Sequence, residues 1–477
     1  MIHEQTAKDM SLHVGKRVLI KSKKDREIIS TVDTVTGIIS PREIAVSAEI
    51  IENIGLKDDQ IVDVQLAEQP YSINLIKKKL KGEKLKKDEI GEIIENIANN
   101  SLTEVEVAFF VSAVYTKGMT LQETKYLTEA MVKTGNRLKF KGKIADKHSC
   151  GGVAGNRTTP VVVSICATNG LTIPKTSSRA ITSAAGTADV IETIANVEFS
   201  IPEIKKIIKK TKACMVWGGA LGLSPTDDKI IKIEKIVRID SPAQVLASIL
   251  SKKISVDSKY VLIDIPYGKS AKVSEKQAKK LKSAFLKLGK KFSLKIKVVL
   301  TDGSEPIGNG IGPVLELKDV LKILRNEPDA PSDLKRKSIF LSGKLLELAG
   351  KAKPGKGQKL ALEILKSGKA LKKFEQIIKA QQGDIGNLNK IKKPEFFFII
   401  KAKKFLKIRH IDNELINKLA RAAGCPEDKA AGIYLHKKKG QTAKKGEPIF
   451  TIYSVSEEKM KFAKKLYKEN KRKVIEI

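Results

Sequence analysis

Two stretches carry the residue types that handle an oxyanion. Asp146-Lys147-His148-Ser149-Cys150-Gly151-Gly152-Val153-Ala154-Gly155-Asn156 sets several glycines beside a lysine and a serine. Glycine lets the backbone approach a ligand closely and turn its N–H groups inward, forming an anion-binding nest. Lys147 adds a point charge and Ser149 a hydroxyl donor. Thr159 and Pro160 read as the cap and first residue of a helix closing at Gly170, whose positive end faces the same region. By residue type alone, a glycine-rich turn between elements is an equal reading. The second stretch, Lys175-Thr176-Ser177-Ser178-Arg179-Ala180-Ile181-Thr182-Ser183-Ala184-Ala185-Gly186-Thr187, packs hydroxyls and an arginine before a helix expected at 188–195. A guanidinium fork, hydroxyls and helix N-terminal amides suit a phosphate monoester. Two such stretches flanking one helix imply a pair of substrates with one phosphate each.

The elements that must position these loops follow from hydrophobic patterning. Tyr260–Ile265 reads as a buried strand, 274–290 as a lysine-rich helix and Leu294–Leu300 as a second strand. That strand–helix–strand unit puts the loop Pro266–Lys272 at the carboxyl end of a strand, where open α/β sheets bind ligands. Upstream, Ser101-Leu102-Thr103-Glu104 and Thr120-Leu121-Gln122-Glu123 both match a capping box, with Gly118 and Gly135 placed to end the helices. The first helix is apolar almost all round and is expected to be buried between neighbours. Residues 1–75 look β-rich, with strands expected at Arg17–Lys21 and Gln60–Val64 and alternation over Glu43–Ala48. Lys77–Lys87 reads as a linker or weak helix, and the end of the chain as short strands, a helix over 412–423 and a hairpin turn over 439–448.

The fold class expected is therefore multidomain α/β. A β-rich N-terminal domain covers 1–84, and a helical domain covers 85–135, completed by about 229–256. A large α/β phosphate-binding domain with a mixed sheet covers 136–228 and 257–389, and a small α+β domain 390–477.

Bulk properties narrow the class. The 477 residues exceed one ordinary core. No apolar run approaches the roughly 20 residues that cross a bilayer, and the first residues do not resemble a secretory signal, so a cytoplasmic protein is expected. Cys150, Cys166, Cys214 and Cys425 form no CxxC pair, and His3, His13, His148, His410 and His436 are scattered. Reduced thiols, no metal and no cofactor are expected. Ninety Lys and Arg against 54 Asp and Glu give a net charge of +36, which attracts anions. Lysine dominates, there is no Arg-rich tail, and aromatics total only 5%. A solvated lysine surface is expected, without a basic stretch interleaved with aromatics and with no specific nucleic-acid partner.

Asp146-Lys147-His148-Ser149 followed by Gly151-Gly152-Val153 resembles the signature of the thymidine phosphorylase family, as do 101–131 and Gln381-Gln382-Gly383-Asp384. The Lys175–Thr187 variant is similar to the archaeal AMP phosphorylase branch, which also carries an extra N-terminal domain of about this length. The resemblance covers essentially the whole chain, strongest over 101–272. It implies phosphorolysis of a nucleoside 5′-monophosphate (AMP, with CMP and UMP) to free base and ribose 1,5-bisphosphate, in nucleotide salvage or degradation. It also implies inorganic phosphate as co-substrate, no membrane, and a homodimer through the helical domain, with larger assemblies through 1–84. Residue by residue, it assigns Lys147, Ser149, Ser177 and Thr187 to phosphate. It assigns Gly152, Ser178, Arg179, Ala180, Ile181, Thr182, Ser183, Thr187, Ser248 and Lys272 to the nucleotide. Cys150 departs from the branched-aliphatic or Thr residue common in the family.

The base-side residues lie in Val237-Arg238-Ile239-Asp240-Ser241-Pro242 and the following Ser248–Lys253. Pyrimidine-nucleoside phosphorylases hold pyrimidine carbonyls with residues that Arg238, Ser248 and Lys252 could match. In the AMP branch Asp240 is instead the proton donor to the departing base, which gains negative charge as the glycosidic bond breaks. An aspartate needs burial or a neighbouring like charge to stay protonated; a helix cap before Pro242 is the plainer role. His148 is placed to contact sugar or base, or to hydrogen-bond within its own loop. The alternatives are a pyrimidine-nucleoside phosphorylase and an RNA-binding protein on this fold.

Overall fold

A computed structural model describes residues 1–22, 26–181, 183–237 and 239–477. The chain divides into two compact units, Met1–Asn136 with Leu223–Ser255, and Arg137–Gly222 with Val256–Ile477.

The first unit joins a small β-domain to a helical bundle. Arg17–Lys21 is the central strand of an antiparallel three-stranded sheet, between Glu27–Thr31 and Asp63–Leu66. The ladder to the third strand starts at Asp63, later than the expected Gln60, and leaves Ile61 exposed. The alternation at 43–48 does not form a ladder. Ile44 makes one bridge to Ile2, Ile44 and Val46 pack on the core, and a helix starts at Ala48.

The bundle begins earlier than expected, with the helix Ser72–Leu80, so 77–80 is helical rather than linker. The second capping box forms as expected, Thr120 accepting from the Glu123 amide and Glu123 from the Thr120 amide, whereas the first forms two residues later than expected, between Thr103 and Glu106 rather than Ser101 and Glu104. Gly118 ends the first helix at φ +68°, whereas Thr134, in right-handed geometry, caps the second in place of Gly135. The helix Glu104–Lys117 is not buried all round. Phe110, Val111 and Val114 face the core, but Val105 is 65% and Phe109 54% exposed.

The second unit is built on parallel strands. Tyr260–Tyr267 pairs in parallel with Ala145–Ser149 on one side and Lys295–Asp302 on the other, while Ile173–Ser177 pairs with Ala213–Trp217. An Ile144–Thr172 bridge joins the two groups, again in parallel. Glu275–Lys291 is the crossover helix between Tyr260–Tyr267 and Lys295–Asp302; Ala278, Leu281, Phe285 and Leu288 form its buried stripe. The helix Thr159–Thr168 is apolar on all sides and buried, as the hub of this core must be.

The C-terminal part carries an antiparallel sheet in the order Gly310–Ile311, Gly432–Leu435, Pro448–Ser454, Phe396–Lys401. The helices Asn413–Ala422 and Glu457–Val474 share its core. Thr442–Ala443, within the expected turn, pairs with Leu406–Lys407. Among the described residues no helix is long and apolar enough to cross a membrane.

Candidate active site

Parallel register places Ser149 opposite Asp264, and Lys147 opposite Leu262. Asp264 is fully buried, and its carboxylate accepts from Ser149 Oγ (3.1 Å) and Thr301 Oγ1 (2.6 Å) and pairs with Lys337 Nζ at 3.2 Å. Lys147 is 2% exposed and donates to Thr158 Oγ1 at 2.7 Å. Burial pushes the Lys147 ammonium down to about 8; Asp264 opposes that fall, and Lys337 and Arg157 add to it. Buried Arg157 donates through Nε to Glu316 (2.7 Å) and through its terminal nitrogens to Thr187 Oγ1 (2.8 Å) and the Ala185 carbonyl (2.6 Å).

The loop after Ser149 passes through three left-handed glycines, Gly151 (φ +79°), Gly152 (φ +88°) and Gly155 (φ +69°). A Cβ on Gly152 would lie 2.8 Å from Lys272 Cβ, and one on Gly155 2.2 Å from the Ile307 carbonyl oxygen. Both positions therefore require glycine, and Gly152 and Lys272 are brought together. Asn156 Nδ2 donates to Ser149 Oγ at 3.3 Å, while its Oδ1 is buried without a partner. His148 and Cys150 are half-buried beside them, and burial pushes the Cys150 thiol up to about 12, so it stays neutral.

The second loop follows Ile173–Ser177. Lys175 is consumed by structure, 3.5 Å from Asp146 and bonded to the Thr176 carbonyl. Ser177 Oγ donates to the Val216 carbonyl at 3.4 Å, and Thr176 Oγ1 is buried without a partner. Asp189 Oδ2 ties the loop by accepting from the Ala180 and Gly186 amides. Gly186 packs on the loop's start; a Cβ there would lie 2.5 Å from the Ser178 carbonyl oxygen. Thr187 opens the helix Thr187–Ile191. Ser178 is exposed and Ile181 and Ser183 half-buried, Ser183 Oγ donating to the Ala185 carbonyl. Thr182 lies outside the described residues. The Arg179 fork is held by carboxylates, bidentately by Glu192 (2.7 and 2.8 Å) and by Glu198 (2.8 Å), with its face 4.9 Å from the Trp217 ring.

One helix indexes both loops. Asn413 Oδ1 accepts from the Ala154 amide and Asn417 Oδ1, one turn on, from the Ala184 amide, each at 2.9 Å. Asn413 Nδ2 also donates to the Gly303 carbonyl (2.9 Å) and Ser270 Oγ (3.0 Å).

In the first unit, Ser248 and Lys252 lie one turn apart on the helix Pro242–Ser255, and both reach Asp227 Oδ2, Ser248 at 2.8 Å. Asp227 is 1% exposed. Burial pushes the adjacent Asp228 carboxyl up to about 6, with Lys252 opposing and Asp227 adding to the rise. Gln244, on the same helix, is 2% exposed with both amide atoms unpartnered. Asp240 is exposed in the segment before that helix, and Arg238 lies outside the described residues.

Residues 73–135 match the helical bundle domain of a glycosyl transferase family, 141–371 its a/b domain, and 407–473 the pyrimidine nucleoside phosphorylase C-terminal domain. The AMP phosphorylase of Methanococcus aeolicus is 43% identical over 98% of this chain and 94% of its own. Those of Thermococcus sibiricus and Methanocaldococcus jannaschii are 44% and 42% identical, covering 95% and 98% of this chain and 90% and 93% of theirs. The chain belongs to the AMP phosphorylase family. Anthranilate phosphoribosyltransferase from Thermus thermophilus shares the fold, with a TM-score of 0.54, 18% identity, and coverage of 65% of this chain and 99% of that one.

Part of the site is built by residues that the sequence alone does not single out. Asp264, Lys337, Arg157, Thr158 and Glu316 build the electrostatics around Lys147 and Ser149. Asp264 had a signal: a lone acid in the apolar run Val261-Leu262-Ile263-Asp264-Ile265 is costly unless paired. Lys337, Asn413 and Asn417 had none, because their helices carry many similar polar residues.

Proposed function

We propose that this chain cleaves AMP by phosphorolysis, releasing adenine and ribose 1,5-bisphosphate, with CMP and UMP as further substrates and a role in nucleotide salvage or degradation. The observation that carries the reading is the charge balance around Lys147. Four cations with little side-chain exposure, Lys147, Lys337, Arg157 and Lys175, face three buried carboxylates, Asp264, Glu316 and Asp146, and the Lys147 hydrogen bond goes to a neutral hydroxyl. An incoming oxyanion supplies the missing charge, in a low-dielectric setting that strengthens its hold.

Phosphate is held by Lys147, Ser149, Ser177 and Thr187 and attacks C1′ of the ribosyl group. The nucleotide is held by Gly152, residues 178–183, Thr187, Ser248 and Lys272, which fix the sugar for in-line attack. For Arg179 to grip the 5′-phosphate, part of its fork must leave Glu192 or Glu198. Asp240, exposed in the chain without substrate, protonates the departing base once the bound nucleotide covers it; without that proton the charge developing on the base would raise the barrier, and His148 contacts sugar or base. The reaction uses no cofactor and runs in the cytoplasm. The working enzyme is a homodimer through the helical domain, a reading supported by the exposed Val105 and Phe109 on one helix face.

The test incubates the protein with phosphate and AMP, CMP, UMP, adenosine, uridine or thymidine, and measures free base and sugar phosphate. Base release from AMP that requires phosphate is expected. Cleavage of the nucleosides alone would overturn the nucleotide reading in favour of a pyrimidine-nucleoside phosphorylase. Asp240→Asn is expected to abolish phosphorolysis while AMP still binds; a near-normal rate would remove Asp240 as proton donor.

A further inference from the structure

Residues 390–409 contradict the expectation that the chain has no basic stretch interleaved with aromatics. The segment Lys390-Ile391-Lys392-Lys393-Pro394-Glu395-Phe396-Phe397-Phe398-Ile399-Ile400-Lys401-Ala402-Lys403-Lys404-Phe405-Leu406-Lys407-Ile408-Arg409 holds eight Lys and Arg, four Phe and one acid. Its strand Phe396–Lys401 forms the edge of the C-terminal sheet, pairing with Pro448–Ser454.

Strand alternation gives the two faces opposite fates. Phe396, Phe398 and Ile400 turn to the core, where Tyr467 of the last helix meets Phe398 edge-on at 6.2 Å. Phe397 and Ile399 turn away from it and are 61% and 38% exposed. Directly opposite residues of an antiparallel pair share a face. The register Phe397–Tyr453 therefore sets a half-buried tyrosine beside Phe397, and Thr451–Tyr434 brings a third ring to the same face. Just past the strand, Phe405 is 66% exposed. Lys392, Lys393, Lys401, Lys403, Lys404 and Lys407, which flank these rings in sequence, are all exposed.

We propose that this open aromatic face and its lysine border bind single-stranded nucleic acid. Unstacked bases find π-faces on Phe397 and Tyr453 of neighbouring strands, and the lysines track the phosphates; this is the chemistry by which single strands are held without sequence preference. Charge complementarity selects this occupant. Eight basic side chains against one carboxylate oppose pairing with a second copy of the same edge, because exposed edge lysines resist strand-to-strand docking. A polyanion gains from the same charges. The inference is independent of the reaction proposed above, since none of these residues belongs to the phosphate loops or to the Asp227 cluster.

Fluorescence anisotropy of the full-length protein with end-labelled oligouridylate and oligothymidylate of about 16 nucleotides, and with a duplex of equal length, tests it. Tighter binding of the single strands than of the duplex is expected, falling steeply with salt. Phe397→Ala is expected to weaken single-strand binding by about tenfold, a typical loss for one stacked base. Phe397→Ala/Phe405→Ala should weaken it further, with AMP phosphorolysis unchanged. Equal duplex and single-strand affinity, indifferent to Phe397→Ala, would mean a diffuse lysine surface and overturn the proposal. So would loss of binding to phosphatidylserine vesicles rather than oligonucleotide on Phe397→Ala. A fall in assembly mass in that variant with oligonucleotide affinity intact would assign the face to a second copy instead.

Discussion

Replacing Asn413 tests whether the loops after Ser149 and Ser177, the proposed phosphate loops, are held by the helix Asn413–Ala422 or only rest against it. Asn413 is fully buried; its Oδ1 accepts the Ala154 amide and its Nδ2 donates to the Gly303 carbonyl. Asn413→Ala leaves both backbone groups buried and unpaired. At about 1–3 kcal/mol for each of the two stranded groups, the expected loss of unfolding free energy is roughly 2–6 kcal/mol, read from urea denaturation. Ala154 precedes Gly155, which sits too close to the Ile307 carbonyl for any movement inward. The freed loop must therefore shift outward, carrying the nest away from Lys147. A misplacement on the order of 1 Å costs about 100-fold in rate, so kcat/KM for phosphate should fall by about that factor at saturating AMP. Asn413→Asp keeps an acceptor for Ala154 but turns a buried carboxylate oxygen on the Gly303 carbonyl, and should cost at least as much stability as Asn413→Ala at neutral pH. If Asn413→Ala loses stability yet keeps a normal phosphate KM after correction for the folded fraction, the helix supports the fold without setting the loop.

Phosphate affinity should decline as pH rises through about 8, where the buried Lys147 ammonium loses its proton, and Lys147→Gln should flatten that profile while raising the phosphate KM throughout. The Asp228 carboxyl, lifted by burial to about 6, holds its proton in the folded chain after the unfolded chain has released it. It therefore removes stability as pH rises between the ordinary carboxylate range and about 6. Asp228→Asn should gain up to about 3 kcal/mol over wild type between pH 4 and pH 7, measured by denaturation at both; an unchanged difference would refute the assignment. Gly152→Ala forces a side chain into φ +88° and against Lys272, so a cost of at least about 1–2 kcal/mol in thermal unfolding and a rise in AMP KM are expected.

What the sequence made legible follows from how local each signal is. The Thr120 capping box, the apolar stripe of Glu275–Lys291 and the glycines of 151–155 act within a few residues, and each appears where its chemistry requires it, while the box before Glu104 forms two residues later, at Thr103 and Glu106. The all-round apolar helix Glu104–Lys117 misled because composition cannot say which face finds a neighbour; Val105 and Phe109 were left outside. The expected role of Arg179 rested on its type, but the carboxylates that hold its fork, Glu192 and Glu198, sit across turns of chain whose geometry residue spacing does not reveal. The Asn413 and Asn417 contacts span more than two hundred residues, a separation at which side-chain pattern carries no information. The aromatic strand at 396–401 was readable in principle; a whole-chain aromatic content of 5% hid its local concentration.

Ser149 raises a proton-counting question that decides what Asp264 does. A serine hydroxyl has one hydrogen, and in this arrangement Ser149 gives it to Asp264 while accepting from Asn156. To donate to phosphate, the hydroxyl must turn away from Asp264. That turn is cheap because Asp264 keeps Thr301 at 2.6 Å and Lys337 at 3.2 Å, so its charge stays satisfied after Ser149 leaves. If Ser149 binds phosphate as proposed, Asp264 holds it in readiness and anchors Lys337, acting as a positioning residue. Asp264→Asn should leave the Lys337 ammonium buried without a counter-charge, at a cost of about 3–5 kcal/mol. Ser149→Ala should leave stability nearly unchanged and raise the phosphate KM. In the double variant the effects on phosphate KM should be less than additive if Asp264 acts through the Ser149 hydroxyl. Strict additivity would mean that the carboxylate serves only the lysine.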